Sequence, residues 1–170
     1  MKNLFYISVI FVLMTFSLVA QTQTDSLKVA QIKETVNKIN ADTGLTAKII
    51  TDSLNGNRQV VGYFKNEQLV LIRYFSYSGC IPGFEFYLQK DMLLAAFVRV
   101  TEPDIYGHLP YSRTYELYFE KRRLIRSDIS GGLSGQIQLN QMPCNIKMDD
   151  SWAKKYSDEC YRYVKILNGK

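Results

Sequence analysis

The sequence predicts an α+β domain: a twisted antiparallel β-meander of about six or seven strands with an N-terminal and a C-terminal helix packed on it. Two observations predict it. Between Gly62 and Arg126 one short pattern occurs three times: Tyr63-Phe64-Lys65-Asn66-Glu67-Gln68-Leu69, Tyr87-Leu88-Gln89-Lys90-Asp91-Met92-Leu93 and Tyr118-Phe119-Glu120-Lys121-Arg122-Arg123-Leu124. Apolar pairs flank four polar or turn-compatible residues, with β-branched and aromatic residues extending along both arms, so each copy reads as a β-hairpin. On either side of this stretch lies a segment whose apolar residues recur at helical spacing.

Taken in order, the chain begins with Lys2 and an almost unbroken apolar run from Leu4 to Val19, ending at Ala20 before Gln21. This pattern is that of a secretory signal peptide over residues 1–20, with an uncleaved membrane anchor as the alternative. It leaves 21–170 as one α+β domain, exported to the periplasm or outside the cell. No second apolar run is long enough to cross a membrane, so no span is expected after cleavage. Thr24-Asp25-Ser26 offers capping side chains, and Val29, Ile32, Val36 and Ile39 then mark one face of a helix from Ser26 to about Asp42, stopped by Gly44.

Ala47 to Leu54 reads as a first strand and Asn55-Gly56-Asn57 as its turn. Strands follow over 59–65, 68–77, 83–89, 92–101, 113–120 and 123–130. Ser78 to Gly83, and the segment from Glu102-Pro103 to Ser112, carry prolines and glycines that exclude them from strand interiors. Short sequential connections place consecutive strands side by side. The Ser130-Gly131-Gly132-Leu133-Ser134-Gly135 run resembles a linker, and Gln136 to Leu139 reads as either an edge strand or a loop. Asp149-Asp150-Ser151 caps a second helix with the stripe Trp152, Tyr156, Cys160, Tyr163 and Leu167.

Strand parity assigns the faces. If Phe64 faces Leu69, Leu88 faces Leu93 and Phe119 faces Leu124, then Val60, Leu71, Phe84, Phe86, Ala95, Phe97, Tyr115 and Leu117 share one apolar side. Tyr63, Val70, Ile72, Tyr74, Glu85, Tyr87, Leu94, Ala96, Val98, Glu116, Tyr118, Ile125 and Ser127 then form a mixed opposite side. A bulge beside a turn would shift one arm by a residue and exchange members between the sets.

Loss of Lys2 with the leader leaves 20 basic against 16 acidic residues, a net charge of +4. The charges are interspersed, without the dense basic patch of a nucleic-acid binder. Cys80, Cys144 and Cys160 are an odd set for an oxidising compartment, with Cys144 and Cys160 the favoured disulfide candidates. With no C-x-x-C and His108 the only histidine, neither a metal site nor another cofactor is indicated.

The candidate binding residues are Tyr63, Tyr87 and Tyr118, equivalent positions in the repeats, with Glu85, Glu116, Arg73 and Arg99 on or near the same face. Tyrosine joins a large apolar ring to a hydrogen-bonding tip, so three in a row could form a platform for a protein or glycan; the alternative is cross-strand packing. Glu85 and Glu116 should lie two inter-strand spacings apart, ~10 Å, which is marginal for paired-carboxylate hydrolysis of glycosides. Ion pairing with arginines is the alternative use. A Cys160–His108 catalytic pair is disfavoured because Cys160 belongs to an apolar stripe. Lys121-Arg122-Arg123 keeps a turn in water, and Gly131-Gly132 lacks the lysine and helix of a phosphate loop.

Across residues 60–127 the Tyr-[Phe/Leu]-x-x-x-x-Leu hairpins resemble those of exported bacterial proteins of unknown function, and more distantly MORN-type hairpin repeats, with Glu67, Asp91 and Arg122 where the turn glycine usually stands. The resemblance implies a scaffold or interaction surface without catalysis. The expected function is therefore an exported non-catalytic module binding a protein or glycan through a Tyr/Glu/Arg sheet face. The alternatives are an inhibitor of a secreted enzyme such as a lysozyme or protease, acting through the Tyr106–Pro110 or Cys80 loop, and a glycoside-active enzyme using the paired glutamates.

Overall fold

A computed structural model describes residues 23–76, 81–102, 111–131 and 150–169. Helix α1 covers 23–41. It is followed by β1 (Thr46–Asp52), a 3-10 turn (Ser53–Asn55), β2 (Arg58–Lys65), β3 (Gln68–Tyr74), β4 (Gly83–Gln89), β5 (Met92–Glu102), β6 (Tyr111–Glu120), β7 (Arg123–Gly131) and α2 (Asp150–Leu167). The strands form one seven-stranded sheet in sequence order, every neighbouring pair antiparallel. This is the expected α+β meander. The signal segment 1–20, Cys80, the Tyr106–Pro110 loop, Cys144 and the 136–139 segment lie outside the described residues.

The three repeats fold as three copies of one hairpin. Each closes on a two-residue turn whose members both have positive φ: Asn66 (48°) and Glu67 (64°), Lys90 (51°) and Asp91 (60°), Lys121 (46°) and Arg122 (71°). Both central residues in the left-handed region define a type I′ turn, whose twist matches that of the flanking strands. Each returning arm then carries one extra residue at the same place. Tyr63 pairs with Leu71 while Phe64 pairs with Leu69, passing over Val70. Leu94 and Ile125 are passed over in the same way.

These bulges correct the facial assignment. The outgoing arms keep their expected sides, but past each bulge the returning arm is shifted by one residue. Leu71, Ala95 and Phe97 therefore join Tyr63, Tyr87 and Tyr118, whereas Ile72, Tyr74, Ala96 and Val98 join Phe84 and Phe86.

Both faces are covered, one helix each. On one side α2 lays Ala153, Tyr156, Cys160, Tyr163, Val164 and Leu167 against Ile72, Phe84, Phe86, Ala96 and Val98. Gly62 makes room there: a Cβ would meet both terminal methyls of Leu167 at 2.8 Å. The helix ends at Leu167, with Gly169 at φ 71° just beyond it, and Lys48 Nζ donates to the Leu167 carbonyl at 2.7 Å. On the other side the α1 stripe Val29, Ile32 and Val36, with Ile39, packs on Leu71, Tyr87, Ala95 and Tyr118. Each fully buried aliphatic residue of this kind contributes about 1.5–3 kcal/mol. Among the described residues no helix is long and apolar enough to cross a membrane.

Candidate functional site

The path of α1 determines what the second face can do. Its N-terminal part sits by the β6–β7 turn, where Lys28 pairs with Glu120 and Asp25 with Arg123 at 3.2 Å. Midway, Lys33 Nζ lies 3.6 Å from Asp128 and 4.0 Å from Glu116. At the far end Arg73 Nη2 donates to Asn40 Oδ1 at 3.4 Å, and Asp42 pairs with Lys65 at 2.6 Å. The helix thus crosses the sheet over the end that carries the three hairpin turns.

Tyr87 and Tyr118 lie beneath it, each 0% exposed. This corrects the expectation of an open tyrosine platform: the two rings are core, and only Tyr63 is partly accessible, with the Arg73 guanidinium 5.5 Å from its ring centre. The physical reason is that a meander with two apolar faces needs a cover on each, and the α1 stripe supplies the second.

Each buried tyrosine donates its hydroxyl to the glutamate two residues earlier. Tyr87 reaches Glu85 Oε2 at 2.7 Å and Tyr118 reaches Glu116 Oε2 at 2.6 Å. Burial, reinforced by the accepting carboxylate, pushes the Tyr87 hydroxyl up to about 12 and shifts Tyr118 in the same direction. The other oxygens are engaged too: Glu85 Oε1 lies 2.9 Å from Arg73 Nε, and Glu116 Oε1 accepts from Ser130 Oγ at 3.0 Å. The Arg73 N–H points off line, leaving that buried nitrogen without a hydrogen bond among the described residues. Phe97 pairs in register with both glutamates and separates them by the expected two inter-strand spacings. Its ring packs against Tyr87 and Tyr118 at centroid distances of 5.1 and 6.2 Å.

Away from the turn end that α1 covers, the same face continues through Phe97, Arg99, Thr101 and Thr114 and opens into a pocket of about 310 Å³. Its wall is the backbone of Tyr74, Phe75 and Ser76 folding close over Gly83, where a Cβ would stand 3.0 Å from the Tyr74 carbonyl oxygen and 3.2 Å from the Ser76 nitrogen. Arg99 is exposed, lies opposite Gly83 on one side and Thr114 on the other, and has no ion-pair partner among the described residues. Phe75 on the wall is 49% exposed. Of the seven candidate binding residues, the structure gathers Glu85 and Arg99 into this pocket with Arg73 directly behind Glu85.

No protein-family model, curated protein or solved structure matches the chain. The pocket's chemistry therefore rests on its own residues.

Two other features are structural. Asp52 is buried and accepts from Arg162 Nη1 at 3.0 Å and Nη2 at 2.5 Å, from Tyr163 at 2.6 Å and from Asn55 at 2.8 Å. This bidentate pair ties the β1–β2 corner to α2, and the Arg162 guanidinium holds the Asp52 carboxyl well below the usual carboxylate range. Cys160 is a buried free thiol at 0% exposure, and burial pushes it up, which suits packing rather than nucleophilic chemistry. Its expected disulfide partner, Cys144, lies outside the described residues. No group of three or more metal-ligating side chains occurs among the described residues.

Sequence reasoning missed Phe97, Thr101 and Thr114 as site residues. Strict alternation puts Phe97 on the face of Phe84 and Phe86, and the bulge at Leu94 moves it to the other. The adjacent apolar pairs Leu69-Val70, Leu93-Leu94 and Leu124-Ile125, recurring directly after each turn, are the signal that could have placed it.

Proposed function

We propose that this protein is an exported, non-catalytic binding module whose ligand site is the half of the second sheet face that α1 leaves uncovered, around Glu85, Phe97 and Arg99. The observation that carries this reading is Arg99, without an ion-pair partner among the described residues, in a pocket of about 310 Å³ built on adjacent strands. Its side chain costs nothing to keep in water, and it is held beside aromatic surface on a scaffold braced from both sides. The Lys2 and Leu4–Val19 leader supports export. The likeness of the hairpins to MORN-type repeats supports a scaffold with an interaction surface. The engagement of Glu85 and Glu116 by tyrosine, arginine and serine partners favours a structural use of both carboxylates over acid–base work.

A fragment screen read by backbone amide shifts tests the reading. Binders are expected to move Phe97, Arg99, Thr101 and Thr114 together. Binders that gather instead in the pocket of about 250 Å³ between Arg58, Glu159 and Arg162 would move the site to the α2 side of the sheet.

A further inference from the structure

The open half of the second face has a charge pattern that selects among ligands. Glu85 is the one acidic group lining the pocket among the described residues, and both its oxygens are engaged, by Arg73 at 2.9 Å and by the Tyr87 hydroxyl at 2.7 Å. With Arg73 and Glu85 cancelling, Arg99 leaves the pocket one positive charge. Thr114 stands directly across from Arg99 in register, and Thr101 follows two residues along the same face. Two residues in the other direction lies the half-buried Phe97 ring, with exposed Phe75 on the wall. Alternate residues on a strand stand about 6.5–7 Å apart and point to the same face, which makes Arg99 and Phe97 neighbours on the pocket floor.

We infer that this pocket takes a carboxylate carried on a small apolar or aromatic group, the carboxylate on Arg99 with Thr101 and Thr114 and the apolar group on Phe97 and Phe75. The inference rests on the site proposed above and deepens it. A guanidinium fork matches a carboxylate in plane and can hold it by two parallel hydrogen bonds. At about 310 Å³ the space is at the low end for ligand pockets, enough for one residue-sized group. An ammonium ligand would face Arg99 and Arg73 with no free carboxylate among the described lining residues to receive it. Two sources supply the chemistry: a free carboxylic acid, or the C-terminal residue of a peptide.

The test is titration of the full chain, followed by amide shifts, with 3-phenylpropionate, 3-phenylpropanamide, 3-phenylpropylamine, and an acetylated pentapeptide ending in phenylalanine as its acid and as its amide. The expected result is saturable shifts at Phe97, Arg99 and Thr114 with 3-phenylpropionate and about a tenfold or greater loss with the neutral amide, the size of a charge-assisted contact. Arg99→Gln should reproduce that loss at an unchanged melting temperature, and Arg99→Lys should recover part of it. Tighter binding of the peptide acid than of 3-phenylpropionate would point to a chain terminus, and the reverse to a free acid. If the amide or the amine binds the same residues as well as the acid, the site stands and the ligand class is overturned. If no probe moves these residues, class and site both fall.

Discussion

Tyr87 and Tyr118 carry the sharpest lesson at the scale of single residues, because identical repeat positions suggested a surface and the fold uses them as core. Tyr118 is wholly buried against α1, its hydroxyl 2.6 Å from Glu116. Tyr118→Ala should therefore cost ~3 kcal/mol or more in urea denaturation, as expected for emptying an aromatic site. Tyr118→Phe, which removes the hydroxyl donor to Glu116 Oε2 but keeps the ring and the Ser130 contact, should cost only about 1 kcal/mol. Tyr87 makes a pH prediction. Its hydroxyl is raised from 10.0 to about 12, so the fold favours the neutral form. The stabilisation is complete below the unfolded value and is lost as pH rises through the folded one. Burial raises Tyr118, Tyr156 and Tyr163 in the same direction, so stability should hold to about pH 10 and fall towards pH 12, and Tyr87→Phe should make that fall shallower by one group's share in pH-dependent denaturation. Neither the burial nor the Tyr-to-Glu hydrogen bonds were legible in sequence. The i to i+2 spacing of Glu85 with Tyr87 and Glu116 with Tyr118 showed a shared face, but only the docked helix shows that the face is dry.

At the scale of elements, the strands and helices were legible because hydrophobic alternation, turn residues and capping side chains all agree along this chain, but their ends were less so: Glu102, Tyr111 and Ser112, excluded from strand interiors on the prolines and glycine between them, extend the β5–β6 ladder. Gln68, Gly83, Met92 and Arg123 begin strands at the residues the pattern indicated, and the α1 stripe is buried as expected. The bulges were not legible by strict alternation, since one unpaired residue inverts every side chain after it. The turns offer the element-scale prediction. Glu67 has φ 64° and is exposed, so its side chain adds strain and no packing. Glu67→Gly creates the Asn-Gly pair that type I′ turns favour and should raise stability by ~0.5–1 kcal/mol in denaturant titration. At Arg122, φ 71°, the same change should gain less, because its guanidinium packs 4.2 Å from the centre of the Tyr161 ring.

At the scale of the whole molecule, a meander covered once on each face presents one uneven surface. α2 docks along the face built on Phe84 and Phe86, while α1 lies across the turn end of the other and stops at Asn40 and Asp42, above Arg73 and the β2–β3 turn. The helix length was legible in the sequence; its docking angle was not, because its contacts are to residues distant in the chain: the apolar stripe on Leu71, Tyr87, Ala95 and Tyr118, and the pairs of Lys28 with Glu120 and Lys33 with Asp128. That angle makes the difference between a tyrosine platform and a pocket at Phe97 and Arg99. β5 samples both regions on one face, since Ala95 is 0% exposed under α1 and Arg99 is open. The most direct measurement is therefore thiol labelling at these two positions, in chains with Cys80 and Cys144 replaced by serine. Arg99→Cys should react as fast as a free thiol, and Ala95→Cys should be protected by a factor of a hundred or more, on the order of a local opening costing about 3 kcal/mol. Equal reactivity at both positions would mean that α1 does not cover the tyrosines, and protection at both would mean that the pocket is closed.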